Sequence, residues 1–385
     1  MDSISNLISP ISGAIGGLLG GGKKGTGIEI CPDRINLAQV QRVGQRYKLN
    51  VLSSVTVPEG IIEEGSIIDP PAAAELIQAV IQDSRLKVKQ VATAIPGGES
   101  VIRIIPVPAE LNDAELQEYM NQEAGLYLPF PREEADVDYQ KLGYFTDEDG
   151  IEKVQVLLVA TRREVTDTYL ATFEQAGIEI KTLEIGSFAL LRTIRDQLRA
   201  FSPEQAAVLI DIEFDSTEIA IIVNGVPQFS RTVNIGTYQI QEALQRAMNM
   251  APSRDTDLLL EMSVPLTPID SVDSTGISET NPGTNALVKM VGELSDELRR
   301  SIDFYLNQSE DLEIAQLLLA GPGAAIGDLD EFFNQRLNVP VTLVDPFDAL
   351  SLEGSSNIST IQRPGLGVIL GLGMRETLDE RAQAS

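Results

Sequence analysis

Histidine is absent from this 385-residue chain, and cysteine occurs once, at Cys31. The first absence excludes Ser-His-Asp and Cys-His nucleophilic sites, histidine general bases and His-ligated metal centres. The second excludes disulfides and Cys-rich zinc sites, and it is consistent with a reducing compartment. Basic residues are scarce: 29 Lys and Arg stand against 57 Asp and Glu, a net charge of −28. A surface that acidic repels phosphate backbones, so nucleic acid is not an expected partner. The remaining composition, 43% hydrophobic and 22% charged, is ordinary for a chain that buries a core. The length suggests two or three domains.

Long hydrophobic runs are also missing. Residues 3–22 carry no charge, but eight are Ile, Leu or Ala, six are Gly, and Asn6 and Pro10 interrupt them. That content does not suit a membrane span, and Asp2 stands where a secretory signal has basic residues. Ile4, Leu7, Ile8, Ile11, Ile15, Leu18 and Leu19 nevertheless step by threes and fours ahead of Lys23 and Lys24. On a helix they form one apolar stripe, suited to a membrane surface or a partner. Six glycines, at about 1 kcal/mol each relative to Ala, favour a flexible tail instead. Residues 1–24 are therefore read as a flexible or amphipathic segment.

From Gly25 the period changes to two. TGIEI, RINLAQV and YKLNVLSSVTV, separated by CPD and RVGQ, read as an antiparallel meander. A helix is expected at 72–83 behind Pro70 and Pro71, then strands at VATAI and VIRIIPV. Asn112 with Glu115 forms a capping-box start for a helix to about residue 125. DVDYQKLGYF and VQVLLVAT read as a hairpin around DEDG, followed by a helix at 164–175, strand IEIKTLEI and a helix at 187–199. AAVLIDI, TEIAIIV and PQFSRTVNI then repeat the meander, with Asp211 standing where Glu29 stood. This is an internal duplication at about 180 residues, too long for a solenoid and right for two related lobes. Residues 251–286 read as a long loop. A helix at 286–308, a strand leading into GPGAAIGDL, strand VPVTLV, a Gly-rich helix in RPGLGVILGLGM and a frayed polar tail at 376–385 complete the chain.

Three turns carry the candidate chemistry. They are Glu29 to Asp33, Asp211 to Thr217, and Gly321 to Ala324 at a strand-to-helix junction. Hairpin turns present backbone N–H groups, and a helix start after glycines adds a favourable dipole for phosphate. Asp211 is a candidate ligand for hydrated Mg²⁺, which takes one or two carboxylates plus phosphates. Taken singly, each turn is commonest as a plain connection.

Their order resembles the phosphate-1, phosphate-2 and adenosine segments of the actin-like ATPase superfamily. Within it the chain resembles the PilM family of type IV pilus assembly proteins, relatives of the cell-division protein FtsA. The resemblance runs from about residue 25 to 375, on VATAIPGGESVIRIIPVP, LQEYMNQEAGLYLPFPREEADVDYQKLG, VLLVATRREVTDTYLATFEQAGIEIKTLEIGSFALLRTI, ELRRSIDFY and LLLAGPGAAIGDLDEFFNQRLNVPV. It implies a two-lobed α/β, ribonuclease H-like fold. Lobe one would span 25–200 with a subdomain inserted at about 87–160, and lobe two 201–375.

The resemblance also implies a site: ATP and Mg between the lobes. Cys31, Asp33 and Arg34 would then hold the first phosphate turn, and Asp215, Ser216 and Thr217 the second. Glu297 and Arg300 would border the ribose or base, Gly321 and Gly323 would face the adenosine, and Asp211 and Glu184 would serve metal and water. The chain departs from that pattern. Glu29-Ile30-Cys31-Pro32 stands for Asp-Ile-Gly, and Glu213-Phe214 stands where a glycine follows Asp-Ile. Pro32 removes a donor, the missing glycines restrict backbone approach, and a carboxylate about 4 Å from phosphate costs on the order of several kcal/mol. Weak or absent hydrolysis is the expectation.

On the partner side the resemblance implies a platform at the cytoplasmic face of the bacterial inner membrane. It would bind the N-terminal peptide of PilN through Arg103, Tyr127, Phe130 and Pro131, beside the inserted subdomain. Links to the pilus motor ATPase and to further copies of the chain are part of the same expectation. An apolar groove on an acidic body suits a peptide with a few basic residues. The rival readings are a working ATPase of the sugar-kinase and chaperone kind, and an FtsA-like filament-forming protein.

Overall fold

The computed structural model describes residues 23–266, 281–308, 312–353 and 358–378. The apolar stripe at 4–19, the middle of the long loop at 267–280 and the last seven residues lie outside them.

The chain opens with the expected meander: β1 (Lys24–Ile30), β2 (Arg34–Val43) and β3 (Arg46–Thr56). A two-residue hairpin, β4 (Ile62–Glu63) and β5 (Ser66–Ile67), leads into α1 (Pro70–Ser84). The Asp69 side chain caps α1 by accepting from the Ala72 N–H at 3.1 Å. Then follow β6 (Gln90–Ile95), β7 (Ser100–Pro108), α2 (Asp113–Glu123), β8 (Ala135–Thr146), β9 (Glu152–Arg162), α3 (Arg163–Gln175) and β10 (Glu179–Ile185). The Asn112–Glu115 capping box is formed in full. The helix expected at 187–199 is two, α4 (Gly186–Thr193) and α5 (Arg195–Leu198).

The second meander is β11 (Gln205–Ile212), β12 (Thr217–Val223) and β13 (Val226–Val233). Helix α6 (Thr237–Met248) follows, then a 3₁₀ turn at Asp257–Glu261 inside the presumed loop. Helix α7 (Pro282–Leu306) starts four residues earlier than its apolar period suggests, because Asn281 caps it and Pro282 opens it. The chain ends with β14 (Glu313–Ala320), α8 (Leu329–Leu337), β15 (Val341–Leu343), α9 (Pro346–Ala349) and α10 (Gly367–Met374). The tail is anchored further than its polarity suggests. Arg375–Thr377 forms a turn, Thr377 is buried, and Glu376 pairs with Lys181.

The two large sheets have the same plan. One is ordered β10-β6-β1-β2-β3 and the other β13-β12-β11-β14-β15, each a meander extended by two parallel strands. A separate sheet, β7-β9-β8, carries α2 on one face. Both faces of β11 are buried. Ala206, Val208, Ile210 and Ile212 meet the layer of α7 and α8, while Ala207 and Leu209 meet α4 and α10. Residues of α4 and α10 thus form one core with both sheets, while α1 and α3 cover the outer face of the first sheet.

Helix α10 is buried throughout, and it reaches β1 because β1 offers glycine there. A methyl on Gly27 would lie 2.6 Å from the Leu372 Cβ, and one on Gly371 would overlap the Ala189 carbonyl of α4. Overpacking costs about 1–3 kcal/mol, and backbone on the far side leaves nothing to yield. Gly371→Ala is therefore expected to lower stability by about 3 kcal/mol in urea unfolding.

Candidate functional site

The alternation that buries Ile28 and Ile30 turns Glu29 to the opposite face of β1, and the same alternation on β11 turns Asp211 toward the other lobe. Glu29 is 5% and Asp211 6% exposed. They meet across a cavity of about 330 Å³, walled by the turns after β1 and β11, by Ile95 to Glu99, and by the starts of α4 and α10 at Gly186 and Val368. Seven of the lining residues are Asp or Glu, and none is Lys or Arg.

The two acidic positions are equivalent in register but not in partner. Glu29 lies opposite Asn36 on β2, and the Asn36 amide donates to its carboxylate at 2.8 Å. Asp211 lies opposite Glu218 on β12. Glu218 accepts from the Ser230 hydroxyl at 3.1 Å. Among the described residues nothing donates to the Asp211 carboxylate. Burial, followed by Glu213, Glu218 and Glu29 nearby, holds Asp211 well above the usual carboxylate range. Burial also raises Glu29 against the pull of Arg34, and it raises Glu218. Glu213 is pushed up to about 7 by burial, with Arg34 opposing and Glu29 and Asp33 adding to the rise.

Two straps cross between the lobes at this cavity. Arg34 of the first turn pairs with Asp33 at 3.0 Å and with Glu213 of the second turn at 2.9 Å. Arg254, beyond α6, donates to the Pro32 carbonyl at 2.9 Å while its guanidinium lies over Phe214 and Tyr238. Those two rings are stacked with centroids 5.1 Å apart.

A second concavity, of about 610 Å³, lies where α3 meets the three-stranded sheet. Glu133, Glu134, Arg162, Glu164 and Asp167 are among its walls. Arg162 sits 4.8 Å from the centre of the Phe130 ring and 3.5 Å from Glu134. Asp136, 5% exposed, is pinned beneath by Arg163 at 3.2 Å and by the Thr166 hydroxyl.

Residues 27–258 and 280–377 match the family described as type IV pilus assembly protein PilM. The chain belongs to this family. A chain of the PilM–PilN type IV pilus biogenesis complex is 25% identical, with a TM-score of 0.77 over 92% of this chain and 99% of its own. The ethanolamine utilization protein EutJ from Carboxydothermus hydrogenoformans is 12% identical, with a TM-score of 0.52 over 96% and 93%. MreB5 of Spiroplasma citri bound to ADP is 12% identical, also at 0.52, over 94% and 99%. The fold is the actin-like ATPase fold.

In this PilM-family chain the phosphate turns are poor in donors and cations for a nucleoside triphosphate. The Cys31 N–H is bonded to the Arg34 carbonyl and the Glu213 N–H to the Ser216 carbonyl, each at 2.9 Å. Pro32 has no N–H. The first N–H groups of α6, on Thr237 and Tyr238, donate to the Glu213 and Phe214 carbonyls. Arg34, the nearest guanidinium, is committed to two carboxylates. Glu213 therefore stands at the cavity wall already paired with Arg34. Among the described residues no group of three or more acidic or thiol side chains converges as a metal site, so Mg²⁺ at Asp211 would need waters or phosphate oxygens to complete its shell.

The other candidates fall in three places. Cys31, Asp215 and Ser216 line the cavity, with Asp33 and Arg34 behind it. Thr217 is fully buried, and its hydroxyl is spent on the Ile235 carbonyl at 2.6 Å. Glu297 pairs with Arg231 at 3.0 Å and with Arg300, outside the cavity lining. Gly321 and Gly323 are also outside it. Their α-carbons press on Ile212, which leaves no room for a side chain, and Gly321 has a φ of +80°. Glu184, expected to position water, is instead gripped by Arg192 at 2.6 and 2.7 Å with Arg375 at 3.7 Å. Its sequence position gave no sign of those partners, one of them nearly two hundred residues away. On the partner side, Phe130 touches the second concavity through Arg162. Tyr127 packs on the core beneath α2, Arg103 is exposed on β7 and donates to the Ile102 carbonyl, and Pro131 is exposed.

Two outcomes follow. A raised carboxyl pKa means that the folded state holds its proton more tightly than the unfolded chain. The stability it adds is complete below the ordinary carboxylate range and lost as pH rises through about 7 for Glu213. The melting temperature should fall between pH 5 and pH 8, and Glu213→Gln should flatten that slope. Ligand at a hundredfold excess over Kd adds about 2.7 kcal/mol of stability; millimolar Mg-ATP should give no thermal shift with this chain.

Proposed function

We propose that this chain is a platform of type IV pilus assembly that captures the N-terminal peptide of a PilN-like inner-membrane protein. The observation that carries the reading is the likeness to the chain of the PilM–PilN complex, 25% identical along nearly its whole length. The concavity beside α3 is the docking groove in this reading. Its lining is mostly charged rather than apolar; apolar contact comes from the Arg162 stem and from Phe130 stacked beside it. Glu133, Glu134, Glu164 and Asp167 supply negative charge for basic residues of the peptide. The Asp136 pair with Arg163, a lining residue, holds that side chain before the partner arrives, which lowers the ordering cost of binding.

The platform works at the cytoplasmic face of the inner membrane, with the stripe at 4–19 giving reversible contact to the lipid surface. The protein links the captured peptide to the pilus motor ATPase, and self-association belongs to the same assembly. Nucleotide hydrolysis is no part of this reading: the cleft lining carries seven acidic residues and no Lys or Arg.

Calorimetric titration with a PilN-type N-terminal peptide tests the reading. Wild type should bind one peptide per chain, more weakly as salt rises. Phe130→Asp should weaken binding at least tenfold while the melting temperature stays near wild type. Unchanged affinity in a folded Phe130→Asp variant would remove Phe130 from the groove, and no binding by wild type would remove the function.

A further inference from the structure

The cleft between the lobes is lined by carboxylates and offers no cationic side chain to an anion. Seven acidic residues line the cavity without one basic side chain. Most have a donor of their own: Glu29 has Asn36, Glu213 has Arg34, Asp215 has Ser216 and Glu218 has Ser230. Asp211 has none, is 94% buried, and faces the open volume. Its cross-strand neighbour is Glu218, a like charge placed directly opposite. A buried carboxylate in that position needs a proton or an external cation.

The starts of α4 and α10 also meet the cavity, at Gly186 and Val368. Each helix end carries about half a positive charge, which does not offset the acidic lining. A divalent ion caged by protein oxygens is a poor match as well. Ca²⁺ takes six to eight oxygens at about 2.3–2.6 Å, and among the described residues no three acidic groups converge on one point. The carboxylates share the lining with Ile30, Ile95, Pro96 and Val368. That mixture of acidic and apolar wall suits ammonium groups joined by methylenes.

We propose that the interlobe cleft binds an aliphatic polyamine, with one ammonium group held by Asp211 and Glu218 and a second by Glu29, and its methylenes along Ile95 and Val368. The cavity of about 330 Å³ is at the small end of ligand sites, which favours a thin linear cation over a nucleotide. Each ammonium supplies three donors, so one group can satisfy Asp211 and Glu218 together and remove their mutual repulsion. Carboxylates held above their usual range, Asp211 and Glu29 among them, regain their charged form when such a ligand enters.

The full chain is titrated with spermidine in 150 mM KCl, by calorimetry and by thermal shift. A net charge of −28 also attracts polyamines loosely, so the control is Glu148→Gln/Asp149→Asn on the exposed acidic turn. Wild type and control should each show one saturable site and a raised melting temperature, and Mg²⁺ at equal concentration should show neither. Asp211→Asn should weaken the site at least tenfold. Glu218→Gln should do the same, which keeps the test open if either variant folds poorly. Equal affinity in folded Asp211→Asn and wild type, or binding without a defined stoichiometry, would overturn the proposal. Equal losses in the control and in Asp211→Asn would do so too.

Discussion

Two sheets share one pair of short apolar helices in this protein, and most of its architecture follows from that sharing. Helix α10 has no polar face to give to solvent, so both sides of it must be covered. Gly25 and Gly27 on β1 and Gly373 on α10 let strand and helix approach at backbone distance, and Gly371 does the same for α10 and α4. Once the sheets close on α4 and α10, the ends of β1 and β11 point into the same slot. The acidic residues near those ends are then brought together whether or not their charges favour it. The Arg34–Glu213 pair and the Arg254–Pro32 hydrogen bond are local answers to that convergence.

Much of this was legible in the residues. The two meanders were, because a half-buried antiparallel strand announces itself by alternation, and the repeated acid near the end of the first strand marked the duplication. The capping box at Asn112 and the hairpin of β8 and β9 were legible for similar local reasons. Helix α6 was not, because its buried face includes Gln241 and Gln245, whose amides hydrogen-bond to the loop at Ser253 and Asp255. A pattern read from apolar residues misses such a face.

The site was legible as a list of turns but not as a set of contacts. Cys31, Asp215 and Ser216 reach the cavity as the family likeness implies, but their neighbourhood depends on register. Nothing in the local sequence says that Glu29 faces an asparagine while Asp211 faces a glutamate. Glu184 shows the same limit: its chemistry is set by Arg192 and by Arg375 from the far end of the chain. Gly321 and Gly323 read naturally as ligand contacts, yet their lack of side chains is required by Ile212 packed against them. A glycine in a turn shows that something comes close, and only the fold shows whether it is a ligand or the protein itself.

The straps between the lobes have a mechanical meaning. In a hinged body, a pull applied at one lobe is spent first on opening the hinge. Here a guanidinium–carboxylate pair and a second guanidinium, seated on two stacked rings, join the lobes at neighbouring residues of the same two turns. The two halves then displace together, and tension at one surface reaches another with little lost in between. Stiffness of that kind suits a body that passes load from one face to another.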